Sequence, residues 1–218
     1  MQNRTRKMVR LMNQFSVPMA LVDFIPVLLF AVSAIMLQRD LYNKMSKGAF
    51  ALFAAGSIDI IAAGGLKALY KLLYAAGVCD FERLNAMFFP VQSLGFLLAG
   101  AGIVAMLCHK QGKNTAYAVA PPVLYSGTFL FVGLMVLGLA GMMAGLGVIA
   151  VRMKKKGAAV LFAVAFLCCR SMGYLSSRDF TQAYMNWMAE GINVVGQGAL
   201  LWGTMMLHKA GLAQETWA

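Results

Sequence analysis

The sequence predicts an all-α polytopic membrane protein, with six transmembrane helices arranged as two inverted three-helix repeats. Three observations predict it. Hydrophobic residues fill 61% of the 218 positions and charged ones only 12%, more apolar side chain than a soluble domain of this length can hide. Uninterrupted apolar runs exceed the roughly 18 residues that mark a membrane-crossing helix. The stretch "KGAFALFA" at 47–54 returns as "KGAAVLFA" at 156–163, six of eight residues identical at an offset of 109, half the chain.

The elements follow in order. Residues 1–16 are a basic N-terminal segment carrying Arg4, Arg6, Lys7 and Arg10. The run behind it contains Asp23 and is long enough to span, which argues against a cleaved signal peptide. Spans fall at about 17–38, 48–70, 86–108, 124–151, 157–176 and 186–207. The fourth is awkward, because 115–151 holds no charge and one helix of that length would measure about 55 Å against a ~30 Å hydrocarbon core. Paired prolines in "APPVLYSG" (120–127) resist helix continuation. Residues 115–122 therefore read as an interfacial or re-entrant lead-in to one long tilted helix. The first three-helix half is 17–114, the second 115–209, and 210–218 is a short tail.

Lys and Arg number 19 against 8 Asp and Glu, a net charge of +11. These basic residues lie between the apolar runs, so they speak for topology and a bilayer with anionic headgroups, not for nucleic acid. Six spans put both termini on one side together with the clusters at 4–10 and 152–156. That side is expected to be cytoplasmic, in the plasma (inner) membrane of a prokaryote.

The repeat runs past its opening words. At the same offset Gly64 matches Gly173, Leu66 matches Leu175, Leu28 matches Leu137 and Ala31 matches Ala140, and after an indel "DF" at 80–81 answers "DF" at 179–180. Three spans per half is an odd number, so the second half should enter from the opposite face. Lys47 and Lys156 would then mark the same point of the fold on opposite sides of the membrane. Inverted repeats of this kind are common in transporters, which bind solute near the midplane between the halves.

Charge in hydrocarbon is costly and marks candidate sites. Asp59, about twelve residues into the second span, has no basic residue at its level and is the expected binding or coupling carboxylate. Asp23 precedes Pro26 by three residues, and a proline there frees the Val22 carbonyl beside an acid, as in the broken helices of cation sites. Glu190, Asn193 and Gln197 form a polar stripe at helical spacing. Gln92 follows Pro90, and Tyr125, Ser126 and Thr128 open the fourth span. Arg170 lies near the level of Glu190 and is expected to pair with it or to act as an outer gate. The small residues of "GLAGMMAGLG" (138–147) suit close helix packing.

Much chemistry is missing. Cys79 and Cys108 flank one span and cannot pair, adjacent Cys168 and Cys169 would form a strained disulfide, and no C-x-x-C occurs. His109 and His208 are the only histidines and are expected at opposite faces, so no metal site and no cofactor is expected. No nucleophile, zincin or P-loop motif is present, and no catalytic residue is assigned. The expected function is a small-solute transporter or channel, proton- or cation-coupled through intramembrane carboxylates. A ligand-binding subunit with an energising partner and an intramembrane lipid-modifying enzyme are the alternatives. The partners are the bilayer and a small-molecule or ion substrate, with a homodimer left open.

Overall fold

The computed structural model describes residues 16–108, 128–175 and 183–215. Within them every element is helical: α1 (Val17–Val22), α2 (Phe24–Leu41), α3 (Lys47–Ala75), α4 (Glu82–Cys108), α5 (Thr128–Arg152), α6 (Lys156–Leu175) and α7 (Ala183–Lys209). Four helical stretches are long and apolar enough to cross a membrane: Val17–Leu41, Lys47–Ala75, Arg83–Cys108 and Leu130–Arg152. This is an integral membrane protein. Helices α6 and α7 pack alongside those four, and the polar stripe of α7 lowers its apolar character.

Local chemistry sets the boundaries. Ser16 caps α1 by accepting from the Met19 amide, and Ser46 caps α3 by accepting from the Ala49 amide at 3.2 Å, each satisfying an amide that a helix start leaves orphaned. Pro26 cannot donate to the Val22 carbonyl, and within the Val17–Leu41 stretch the helical hydrogen-bond ladder is interrupted at Asp23, between α1 and α2. At the far end of α3, Gly77 takes φ +69° while Val78 donates to the Leu73 carbonyl and Gly77 to Tyr74. That is a Schellman stop, which favours glycine at this position.

The helices close into a ring in which each packs on its chain neighbour and α7 returns to pack on α2. Its centre is filled by Phe30, Phe53, Phe96, Met142, Leu146, Phe162 and Leu200. Outside, α1 and α2 turn Leu21, Ile25, Leu28, Val32 and Ile35 outward at spacings of four and three. That stripe is the surface a bilayer would cover.

Direction of travel overturns part of the sequence expectation. A Cβ on Gly100 would collide with the Gly138 carbonyl, and one on Gly138 with the Leu97 amide. One on Gly145 would meet Ile103 and, at 3.4 Å, Leu107. Residue numbers rise together in these contacts, so α4 and α5 run parallel. Asp40 meets His208, and Asp23 and Glu190 meet at Lys71, so α2 and α7 are parallel too. The two halves therefore have the same sense, not the inverted one. Lys47 and Lys156 open α3 and α6 at the same end of the ring, where Gly157 approaches Met206 two residues from His208.

Both halves read up, down, up, and α4 and α7 are each 27 residues long. Two further expectations change with this shared sense. Ser16 and Lys209, the outer ends of the first and last helices, lie at opposite ends of the bundle, so the described chain does not begin and end on one side. Cys108 and Thr128 also lie at opposite ends, so α5 does not start on the side where α4 stops; the expected lead-in at 115–122 lies outside the described residues. Residues 1–15 with their basic cluster, 109–127 with His109, Tyr125 and Ser126, and the "DF" at 179–180 lie outside the described residues.

Candidate functional site: a buried lysine between two carboxylates

Three charged side chains from three helices converge at the end of the ring where α1 begins. Lys71 continues the inward face of α3 that Phe53, Ile60 and Ala63 define. Asp23 sits at the break between α1 and α2, and Glu190 lies seven residues into α7. The Lys71 ammonium stands 2.6 Å from Asp23 Oδ2 and 3.0 Å from Glu190 Oε1. All three residues are 7% exposed. Burial on this scale is tolerated because the lysine lies between its two partners; an isolated charge there would cost several kcal/mol (order of magnitude).

The balance is unequal. Two carboxylates face one ammonium, and Asp23 Oδ1 and Glu190 Oε2 have no hydrogen-bond partner among the described residues. Fully ionised, the trio carries one negative charge. Lys67, whose ammonium also acts electrostatically on both carboxylates, brings the ionised group as a whole to neutrality. Lys67, one turn before Lys71, rests its ammonium 4.0 Å above the Phe88 ring, a cation–π contact on the α4 side. Tyr74, Ala189 and Asn186 are buried on the neighbouring turns.

The structure brings together some of the residues singled out above and separates others. Asp23 and Glu190 meet, through a lysine that belonged by sequence to the headgroup side. Asn193 is half-buried on the same face of α7, and buried Gln197 donates to Cys169 Sγ at 3.7 Å. Asp59 is elsewhere: it is half-buried at the α3/α4 seam beside Gly95 and is not part of the trio. Gln92 is half-buried on α4. Arg170 is exposed, and the Glu190 carboxylate rests on Lys71, so the expected Arg170–Glu190 bridge is not formed. Lys71 itself was missed, although Ala63, Lys67 and Lys71 at spacings of four and Tyr74 three further on place it on the inward face.

A second acid–base pair closes the opposite end. His208 Nδ1 lies 2.8 Å from Oδ2 of Asp40, which is 2% exposed. Beside it is a hollow of ≈ 440 Å³ lined by Arg39, Asp40, His208, Lys209, Gly211 and Gln214. The turn between α2 and α3 is tied down there by Lys44, which donates to the Glu215 carbonyl. Partial burial pushes the Lys44 ammonium below its ordinary range, opposed by Glu215 and Asp40.

Fold and site together define a helical integral membrane protein with a buried lysine–dicarboxylate cluster. Comparison with known proteins finds no matching family model, no similar curated protein and no similar solved structure.

Proposed function

We propose that the protein is a small-solute transporter of the cell membrane, coupled through the Asp23–Lys71–Glu190 cluster, with the six long helices all crossing the bilayer. The observation that carries this reading is the cluster itself. Ionisable residues in a membrane bundle are expensive and are by default functional, and well-packed apolar side chains would stabilise the same position at least as well. A carboxylate of this cluster can take up a proton in hydrocarbon and release it where water returns. The Arg152–Lys156 cluster shares its end of the ring with Arg39, Lys44, Lys47 and Lys209, so the positive-inside rule assigns that end to the cytoplasm. The coupling role moves from Asp59 to the cluster, because Asp59 stands apart from it.

Proteoliposomes under an imposed proton gradient, screened with labelled amino acids, sugars and nucleosides, test the reading. Uptake of one solute class is expected in the wild type, lost in Asp23→Asn and in Glu190→Gln and retained in Asp59→Asn. Full uptake in both cluster variants would remove the cluster from the mechanism.

A further inference from the structure

The two acid–base groups lie on one seam. Asp23 and Asp40 are 17 residues apart on α2, and Glu190 and His208 are 18 apart on α7, about 27 Å at 1.5 Å per residue. With α2 and α7 parallel and anchored at both ends, the register between them is fixed. It places Asp23 with Glu190, Pro26 with Asn193, Phe30 with Gln197, Ser33 with Leu200, Leu37 with Thr204, and Asp40 with His208. Spacings alternate three and four along 23–40 and run three, four, three, four, four along α7, close to the pattern of a parallel coiled coil. Each layer contains at least one polar side chain.

Several of these groups are buried without satisfaction. Glu190 Oε2, Gln197 Oε1 and Thr204 Oγ1 have no hydrogen-bond partner among the described residues, and Thr204 is 0% exposed. Ser33, 1% exposed, donates to the Leu29 carbonyl and leaves its oxygen free to accept. Orphaned polar atoms at this depth are rare, and each calls for a partner such as an ordered water. The parallel α4/α5 seam across the ring is apolar at its contacts, with Gly138 against Phe96 and Leu97, and Gly145 against Ile103 and Leu107.

We propose that the α2/α7 seam is a proton path, held wet by Ser33, Asn193, Gln197 and Thr204, that joins the Asp40–His208 pair at one end to the Asp23–Lys71–Glu190 cluster at the other. This deepens the transporter reading by naming the coupling ion, and it rests on that reading for its purpose. A proton fits better than a metal cation because the Lys71 ammonium already fills the position between the carboxylates. At the other end the His208 imidazole faces the Asp40 carboxylate and can pass a proton on through its ring nitrogens. The proton leaves the His208 imidazolium for water and arrives on the Glu190 or Asp23 carboxylate. One N–H bond breaks, one O–H bond forms, and no electron changes hands. The other charged groups around these ends are Lys67 at the cluster and Arg39, Lys44, Lys209 and Glu215 at the pair.

Charge displacement after a pH jump, recorded from proteoliposomes adsorbed on a solid-supported membrane with no solute present, tests the path. Wild-type protein is expected to give a transient that Asp23→Asn removes and that Thr204→Val and Gln197→Leu reduce at least tenfold. Thr204→Ser should restore it, and Ser93→Ala, a buried hydroxyl on α4, should leave it unchanged. Variants are compared only when they elute as the wild type does on size exclusion. A wild type without a transient, or a full transient in Thr204→Val and Gln197→Leu, overturns the proposal. A transient without uptake of any solute would overturn the transporter reading and leave the path standing.

Discussion

Lys71 is the residue on which the site turns. Removing it leaves two carboxylates facing each other without a counter-charge, whereas removing all three charges leaves nothing unpaired. Lys71→Met should therefore lose about 3–5 kcal/mol of stability, while the triple variant Asp23→Leu, Lys71→Met, Glu190→Leu should stay near or above the wild type. Thermal unfolding in one detergent compares them, and equal losses in both would show that the cluster is not held by its charges. The sequence made Asp23 and Glu190 legible as buried acids, because charge inside an apolar run is conspicuous. It hid Lys71, because a lysine where an apolar run fades looks like a headgroup contact. Only the further course of α3 to Ala75 carries it into the bundle.

Among the elements, the stops and the seams make separable predictions. The turn between α5 and α6 repeats the Schellman geometry of Gly77 with Lys155 donating to the Ala150 carbonyl, but here Lys154 takes φ 57°. A side chain in that region costs roughly 1 kcal/mol, so Lys154→Gly should raise stability by about that amount, read as a shift in the unfolding midpoint. On α5, Gly138 lies against the α4 backbone and Gly147 has nothing within 4 Å. Gly138→Ala should cost about 1–3 kcal/mol by overpacking, and Gly147→Ala should cost little or stabilise. The close-packing stripe was legible from "GLAGMMAGLG". Its contact face was not, since small residues at 138, 140, 141, 144, 145 and 147 offer several registers and only the neighbour selects Gly138, Gly141 and Gly145.

At the scale of the whole molecule, class and helix positions were legible and handedness of assembly was not. The expectation of inversion followed from counting three spans per half, whereas the packing of α4 on α5 and of α2 on α7 has the described helices of both halves running in the same sense. A labelling experiment separates the two arrangements. With the other native cysteines replaced by serine, an impermeant thiol reagent should reach Cys79 from one side, and Asn43→Cys and Lys154→Cys both from the other. Lys154→Cys reacting on the side of Cys79 would restore the inverted arrangement.

The closed ring also has mechanical consequences. Its two parallel seams match in geometry and differ in what they hold. Where α4 meets α5, backbone lies on backbone, and water arriving there would find little to bind. Where α2 meets α7, water would find partners for atoms that have none among the described residues, and each bond so made offsets part of the cost of separation. Hydration therefore lowers the work of parting one side of the ring and not the other. The α2/α7 seam is thus the side of the ring that costs less to wet, and the glycine seam the side that costs more.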